Sequence, residues 1–285
     1  MANAAAAAAP PTLETERLRP FVPRLAVEWL ESTPDARVRE VEGSMVFVDV
    51  SGFTKMSERL ARRGKVGAEE VTDVIGDTFG TLLAEAYAFG GGLVKFGGDA
   101  LLLFFEGENH PLRATAAAHG MRATLRRIGT FTTTAGKVTL RMSVGAHTGT
   151  FHFFLVGDSH RELIVAGPAA SETVAMEGAA SAGQVLLSPA LADALPKVNR
   201  GRALGPGFLL RGATPEVERS EVQAVATDVD LAGLIPRALR ETVSEEVEPE
   251  HRSVTIAFLH YTGFDDVVRG DGPDRAAEIL EELVR

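Results

Sequence analysis

Residues 47–54 read Phe-Val-Asp-Val-Ser-Gly-Phe-Thr, and this stretch decides how the chain folds. The four residues before Asp49 are all apolar, which is typical of a strand that is buried on both faces. Ser51 and Gly52 then interrupt the apolar run, and an amphipathic segment follows. The pattern therefore predicts a buried strand over residues 44–50 that turns sharply into a helix, with Asp49 at the end of the strand.

A second informative stretch, residues 93–101, reads Leu-Val-Lys-Phe-Gly-Gly-Asp-Ala-Leu. Paired glycines between two short apolar runs predict a β-hairpin, because Gly97 and Gly98 can adopt positive φ without steric cost. Asp99 lies in the predicted turn of this hairpin. Lys95 alternates with apolar neighbours on the strand before the turn, so its side chain is expected on the opposite side of the sheet from theirs.

The remaining patterns extend this beginning into a layered fold. They predict helices over 68–89, 110–128 and 168–177, and strands over 138–147, 151–156, 163–166 and 184–187. Thr148 and Gly149 are interpreted as a turn between two strands. The order indicates an α/β (α+β) fold in which helices cover a mostly antiparallel sheet. Large aromatic residues are expected in its core: Trp29, Phe47, Phe53, Phe79 and Phe96.

Composition excludes several classes of protein. The chain has 285 residues, a formal net charge of -10 and no cysteine, which removes disulfides, thiolate zinc sites and cysteine nucleophiles. The acidic balance argues against a protein that binds nucleic acid. No stretch approaches about 18 consecutive apolar residues, so we expect no membrane span and a soluble cytoplasmic protein.

The two aspartates point to divalent metal ions. Mg²⁺ or Mn²⁺ takes oxygen ligands, usually one or two carboxylates with phosphate and water completing the shell. Asp49 and Asp99 on adjacent strands would bridge two such ions, and the carbonyl of Val50 is a plausible further ligand. The alternative is that Asp99 only forms a turn and Asp49 only ends a strand.

The turn after the first strand indicates phosphate binding. Ser51, Gly52, Phe53 and Thr54 would present backbone N–H groups immediately before a helix, an arrangement that favours an anion. Lys95 is left with three alternatives, which are contact with a base, with an anion, or with water alone.

An internal repeat suggests a second domain. Residues 44–53 match residues 255–264, and both have an apolar run followed by a hydroxyl residue, Gly and Phe. His260 takes the place of Asp49 in the second copy. We expect an N-terminal tail and helical lead-in, a catalytic domain, an acidic linker and the start of a second domain that stops early, as in a fragment or truncated reading frame. The four segments are 1–40, 41–226, 227–250 and 251–285.

The two motifs over residues 47–54 and 93–101 resemble those of the class III adenylyl and guanylyl cyclases, in particular the tandem-domain soluble adenylyl cyclases. This resemblance implies a ferredoxin-like βαββαβ core that works only as a dimer of two domains. It implies that Asp49 and Asp99 hold two Mg²⁺ or Mn²⁺ ions over a nucleoside triphosphate. The reaction implied is attack of the ribose 3′-hydroxyl of ATP on the α-phosphate, which forms cyclic AMP and releases pyrophosphate in intracellular signalling.

The chain also departs from the family pattern. The resemblance places a catalytic Asn and Arg at Ser171 and Ala175, and neither replacement supplies the same chemistry. A cationic phosphate contact is replaced by Ser143, with Arg141 two residues away on the same face. Lys95 matches a family lysine in the bicarbonate-sensing pocket of the tandem enzymes. These departures predict a metal-donating half that is not self-sufficient, or alternatively a catalytically inactive module that binds nucleotide, metal or a partner. A diguanylate cyclase is less well matched.

Overall fold

The buried strand at the first motif is the centre of the sheet in a computed structural model of the chain. It is strand β1, Val38–Ser51, and it is longer at its start than the pattern predicts. The structure describes residues 13–212, 214–219, 229–237, 239–240, 255 and 260–285. These residues form two compact units. The larger unit comprises residues 41–151 and 169–223, and the smaller one comprises the described residues within 1–40, 152–168 and 224–285.

The larger unit contains the two motifs and the elements around them. After β1 its helices and strands are α3 (Phe53–Ala61), α4 (Lys65–Tyr87), β2 (Gly92–Phe96), β3 (Ala100–Glu106), α5 (His110–Ile128), β4 (Thr130–Thr133), β5 (Gly136–Thr139), β6 (Arg141–Val156), α6 (Pro168–Ala179), β8 (Val185–Leu187), α7 (Pro189–Asp193), β9 (Arg200–Leu204) and β10 (Gly207–Leu210). Strand β6 belongs to this unit as far as Phe151, and helix α6 belongs to it from Ala169 onward. A single 3-10 turn, Lys197–Asn199, precedes β9.

The strand order in this sheet is β2-β3-β1-β6-β8-β10-β9. Strand β1 pairs antiparallel with β3 from Gly43 opposite Glu106 to Asp49 opposite Ala100. Strands β6 and β8 are parallel, and β8, β10 and β9 are antiparallel in turn. The chain thus runs strand, two helices, hairpin, helix, strand before the edge strands are added. This confirms the predicted α+β fold with a mostly antiparallel sheet.

The main core of the larger unit lies on one face of the sheet. Residues Val46, Val48 and Val50 of β1 are fully buried there, beside strand and helix side chains that include Leu103, Phe105, Leu82, Met121 and Val144. Because side chains alternate along a strand, Asp49 lies on the opposite face. Helix α6 packs on that opposite face, since a Cβ on Gly145 of β6 would lie only 2.6 Å from the carbonyl oxygen of Thr173.

The smaller unit has its own apolar cluster. Its elements are α1 (Leu13–Leu18), a 3-10 turn (Arg19–Phe21), α2 (Arg24–Ser32), the end of β6, β7 (Glu162–Ala166), a 3-10 turn (Ala232–Leu234), α8 (Phe264–Gly270) and α9 (Pro273–Val284). Residues His152–Val156 pair antiparallel with β7. Phe154 and Phe264 contact edge to face with ring centroids 5.8 Å apart, and Leu280 packs with them. Among the described residues, no helix is long and apolar enough to cross a membrane.

The expected turn at residues 148–149 and the expected burial of Phe96 are both wrong. The predicted turn at Thr148 and Gly149 does not form, because β6 continues through both residues and Gly149 does not adopt positive φ. The hydroxyl of Thr148 instead donates to the carbonyl of Gly43 at 3.1 Å, which ties this part of β6 to β1. Phe96 is 50% exposed rather than a core residue, although its ring lies 5.7 Å from that of Phe79.

The internal repeat is described only in part. Gly52 and Gly263 both have positive φ, +110° and +80°, and each precedes a helix that begins with a buried phenylalanine. The turn of the second copy therefore has the local conformation of the first. Most of its predicted strand, residues 253–260, and most of the acidic segment 227–250 lie outside the described residues. The second domain stays a prediction.

Candidate functional site

The hairpin brings Asp99 beside the end of β1. Gly97 and Ala100 exchange backbone hydrogen bonds of 2.9 and 3.3 Å, and Gly98 has a φ of +71° at the first position of the two-residue loop. Glycine is the residue that this position favours. The backbone N–H of Val50 donates to the carbonyl of Asp99 at 3.0 Å, and Asp49 lies opposite Ala100 in the register. The two predicted metal-ligand positions are therefore neighbours in space.

The electrostatics of Asp49 reflect these neighbours. Partial burial raises the pKa of its carboxyl above the ordinary value, and the negative charges of Asp99 and Glu177 raise that pKa further. Each of the three influences disfavours the ionised form. Positive charge placed between Asp49 and Asp99 would relieve this repulsion, which is the electrostatic condition that favours cation binding.

Glu177 is a site neighbour that the sequence analysis does not include. It lies near the end of α6, and its Oε1 accepts a hydrogen bond of 2.8 Å from the hydroxyl of Ser143 on β6. The close contact of α6 with β6 makes this possible, since a Cβ on Gly145 would lie 2.1 Å from the backbone nitrogen of Glu177. Thr173 and Glu177 are four residues apart, so the sequence predicts that both lie on one face of the helix. The sequence does not show that this face lies near Asp49.

The donor groups fit a divalent ion that is shared with a substrate. Within the described residues, no three histidine, aspartate or glutamate side chains are grouped closely enough to hold a metal by themselves. Two carboxylates with a backbone carbonyl leave ligand positions for phosphate and water, which is how Mg²⁺ is commonly bound. The residues present therefore suit Mg²⁺ or Mn²⁺ bound together with a phosphate-bearing ligand better than a closed structural metal site.

The predicted phosphate turn is a helix N-terminus without a side-chain cap. Gly52 occupies the N-cap position with a φ of +110°, and no side chain caps the first turn of α3. Phe53 is buried against Phe79, with ring centroids 5.5 Å apart, while Thr54 is exposed. Ser51 is exposed, and its hydroxyl donates to the carbonyl of Arg141 at 3.3 Å. The backbone N–H groups at the start of α3 thus have the polarity that attracts an anion.

The other predicted residues lie on β2, β6 and α6. Lys95 is exposed on β2, where a shift in register after Leu93 breaks the alternation that the sequence suggests. Arg141 is exposed at the start of β6, and it is one of the residues that line a cavity beside α5. Ser171 and Ala175 are exposed on α6, whereas Thr173 and Met176 between and beside them are buried.

Comparison with known proteins places this geometry in a family. The protein-family model described as the adenylate and guanylate cyclase catalytic domain matches residues 37–207, more than half of the chain. Human adenylate cyclase type 10 is 28% identical over 153 residues, which cover 52% of this chain and 9% of the human protein. The rabbit (Oryctolagus cuniculus) protein of the same name is 28% identical over 178 residues, covering 61% of this chain and 11% of that one. The chain thus spans about a tenth of the length of these relatives.

Solved structures agree on the fold. The guanylyl cyclase Cya2 has a TM-score of 0.54 and 22% identity, covering 66% of this chain and 100% of its own. The adenylyl cyclase CyaB from P. aeruginosa has a TM-score of 0.51 and 19% identity, covering 64% of this chain and 100% of its own. The similar proteins thus include both adenylyl and guanylyl cyclases.

Proposed function

The chain belongs to the adenylate and guanylate cyclase catalytic domain family, and from this premise we propose that it is the metal-binding half of an adenylyl cyclase. The complete site would convert ATP to cyclic AMP and pyrophosphate. The 28% identity with human adenylate cyclase type 10 supports ATP as the substrate. The chain would act in a signalling pathway as one of two domains that share a site.

One observation carries this proposal. Asp49 and Asp99 lie at the adjoining ends of β1 and the β2-β3 hairpin, and partial burial, followed by repulsion from the charge of Asp99, disfavours the ionised form of Asp49. A purely structural pair would gain nothing from this repulsion. Sites that bind a cation commonly contain such carboxylate pairs, because the bound cation relieves the repulsion between the two charges.

The chain's own residues suggest a division of roles. Asp49, Asp99 and the carbonyl of Val50 would hold one or two divalent ions, which supply charge neutralisation and a stronger nucleophile. The N–H groups from Gly52 to Thr54 would orient the phosphates at the start of α3. Lys95 is proposed to contact a base or an anion, and Arg141 to contribute positive charge near the turn.

The half-site interpretation rests on two exposed residues of α6. Ser171 lacks the amide of asparagine, and Ala175 lacks the charge of arginine, so this chain would depend on a second domain for those groups. Removing preorganised groups that face the developing charge typically lowers the rate by about a hundredfold to a thousandfold each. We therefore expect little or no cyclase activity from the chain alone.

The same two residues favour a second candidate, a regulatory module that binds nucleotide, metal or a partner without catalysis. Titration calorimetry separates the two candidates. A module that only binds a partner should keep its binding in Asp49→Asn and Asp99→Asn variants. A metal-donating half should lose metal-dependent ATP binding in both.

A cyclase assay with Mn²⁺ and either ATP or GTP tests the proposed function. The wild-type chain should form little cyclic nucleotide, and the double variant Ser171→Asn with Ala175→Arg should form measurably more cyclic AMP. Adding Asp49→Asn to the double variant should remove that gain. Robust production by the wild-type chain that is abolished by Asp49→Ala would contradict the claim that it is not self-sufficient.

A further inference from the structure

A cavity of about 340 Å³ lies in the larger unit, between the C-terminal half of α5, the start of β6 and the loop before β8. Three arginines line it, namely Arg122 and Arg126 of α5 and Arg141 of β6. Arg122 and Arg126 are four residues apart, so their side chains leave the same face of the helix. The hydroxyl-bearing residues Thr130 and Thr139 line the same cavity. Its volume is in the range of small-molecule sites.

The arginines are not neutralised by the residues around them. In the part of the chain that the structure describes, no acidic side chain forms an ion pair with Arg122, Arg126 or Arg141. Burial lowers the pKa of the Arg122 guanidinium, and the charge of Arg126 lowers that pKa further. The chain carries a net charge of -10, so acidic partners are abundant in it. Within the described ranges, three arginines without an acidic ion-pair partner therefore line this one cavity.

A solvated helix face is the simplest alternative, and the geometry argues against it. Arg141 belongs to a strand rather than to α5, so the residues that line the cavity do not all come from one helix face. Arg127 is the next residue on α5 and is exposed, yet it does not line the cavity. Of the basic residues near the end of α5, Arg122 and Arg126 thus line the cavity and Arg127 does not.

We propose that this cavity is a binding site for a small anion that carries a diphosphate group, either free or attached to a nucleoside. Guanidinium groups match phosphate oxygens with paired hydrogen bonds, and threonine hydroxyls supply further donors. The site adjoins the turn after β1, since the hydroxyl of Ser51 bonds the backbone of Arg141. Residues 49–54 do not line it, so it is separate from the Asp49 and Asp99 pair. The proposal requires no metal and does not rest on the proposed function.

Titration calorimetry on the whole chain in the presence of EDTA tests the proposal, with inorganic pyrophosphate as the probe. Arg122→Gln and Arg126→Gln should each weaken binding by about tenfold or more, as expected for a lost charge-assisted hydrogen bond. Arg127→Gln removes the same charge from the same helix outside the cavity. It should change the affinity for pyrophosphate by no more than about twofold, because only a small long-range charge effect is lost.

A parallel titration with ADP distinguishes the two sources of the diphosphate group. Tighter binding of ADP would assign the site to a nucleotide, and equal or weaker binding would assign it to the free anion. Arg126 is exposed, so Arg126→Gln should fold normally by circular dichroism even if Arg122→Gln does not. Absence of pyrophosphate binding at millimolar concentration, or an equal loss in Arg127→Gln, would overturn the proposal.

Discussion

At the scale of single residues, one negative charge near Asp49 comes from a residue distant in sequence, Glu177. Burial and the charge of Asp99 raise the pKa of Asp49, and the charge of Glu177 raises it further. The hydroxyl of Ser143 donates a hydrogen bond of 2.8 Å to the carboxylate of Glu177. Because no three acidic side chains form a closed metal site within the described residues, we interpret Glu177 as acting through its charge rather than as a ligand. An added negative charge near Asp49 strengthens the binding of a cation there, and it disfavours the ionised form of Asp49 when no cation is bound.

The variant Glu177→Gln tests this role. Glutamine retains an acceptor for Ser143 but removes the charge, so we expect Mn²⁺ to bind about threefold to tenfold more weakly, the effect of roughly 1 kcal/mol of charge interaction. Mn²⁺ binding is measured directly by electron paramagnetic resonance. Glu172→Gln, an exposed change on the same helix, is the matched control. Equal affinity in the wild type and Glu177→Gln would exclude an electrostatic role for Glu177.

At the scale of elements, the contact between α6 and β6 positions Glu177 against the sheet. A Cβ at Gly145 would overlap the backbone of Thr173 and Glu177, at 2.6 and 2.1 Å. We therefore expect Gly145→Ala to lower the free energy of unfolding by about 1–3 kcal/mol, as overpacking does in other cores, and to displace α6.

A control on the same helix separates packing from backbone effects. Gly178 has open space where a Cβ would stand and does not have positive φ, so Gly178→Ala should raise the free energy of unfolding by about 0.5–1 kcal/mol. Urea denaturation measures both variants. If Gly145→Ala is as stable as the wild type, the close contact of the two elements is refuted.

Strand β6 also couples stability to pH through His147. Burial lowers the pKa of this imidazole, against a smaller opposite effect of Glu172, and Nδ1 lies 2.9 Å from the hydroxyl of Ser188. The unfolded chain then binds a proton more readily than the folded chain, so the stability that neutral His147 confers is lost as pH falls below about 6.5.

We therefore expect the urea midpoint to be lower at pH 5.5 than at pH 7.5. The variant His147→Gln cannot titrate and should show a smaller difference between the two midpoints. Burial also lowers the pKa of His110 and His119, so part of the difference should persist. An unchanged pH difference in His147→Gln would mean that His147 does not contribute to it.

At the scale of the whole molecule, the sequence predicts what depends on local chemistry. The strand that carries Asp49 near its end and the hairpin that carries Asp99 follow from an apolar run and from glycines that accept positive φ, and both are present. The fold class follows from the order of such elements. The aromatic pattern predicts Phe96 in the core, but Phe96 is exposed on a strand where the register shifts, so simple alternation does not apply to it.

Features that depend on distant contacts are beyond this kind of prediction. The approach of Glu177 to Asp49 requires α6 to pack on β6, and nothing within either segment specifies the other. The continuation of β6 through Gly149 also involves a distant contact, because Thr148 donates a hydrogen bond to Gly43 of another strand. The arginine cavity also combines a helix and a strand that are separate in sequence.

The central claim is that Asp49 and Asp99 form the metal-binding half of a shared cyclase site. Electron paramagnetic resonance of Mn²⁺ with the whole chain and ATP tests it without requiring catalysis. The account predicts that the wild-type chain binds Mn²⁺ and that Asp49→Asn and Asp99→Asn each weaken this binding by at least about tenfold, because each removes a charged oxygen ligand. Equal Mn²⁺ binding by the wild type and both variants would contradict it.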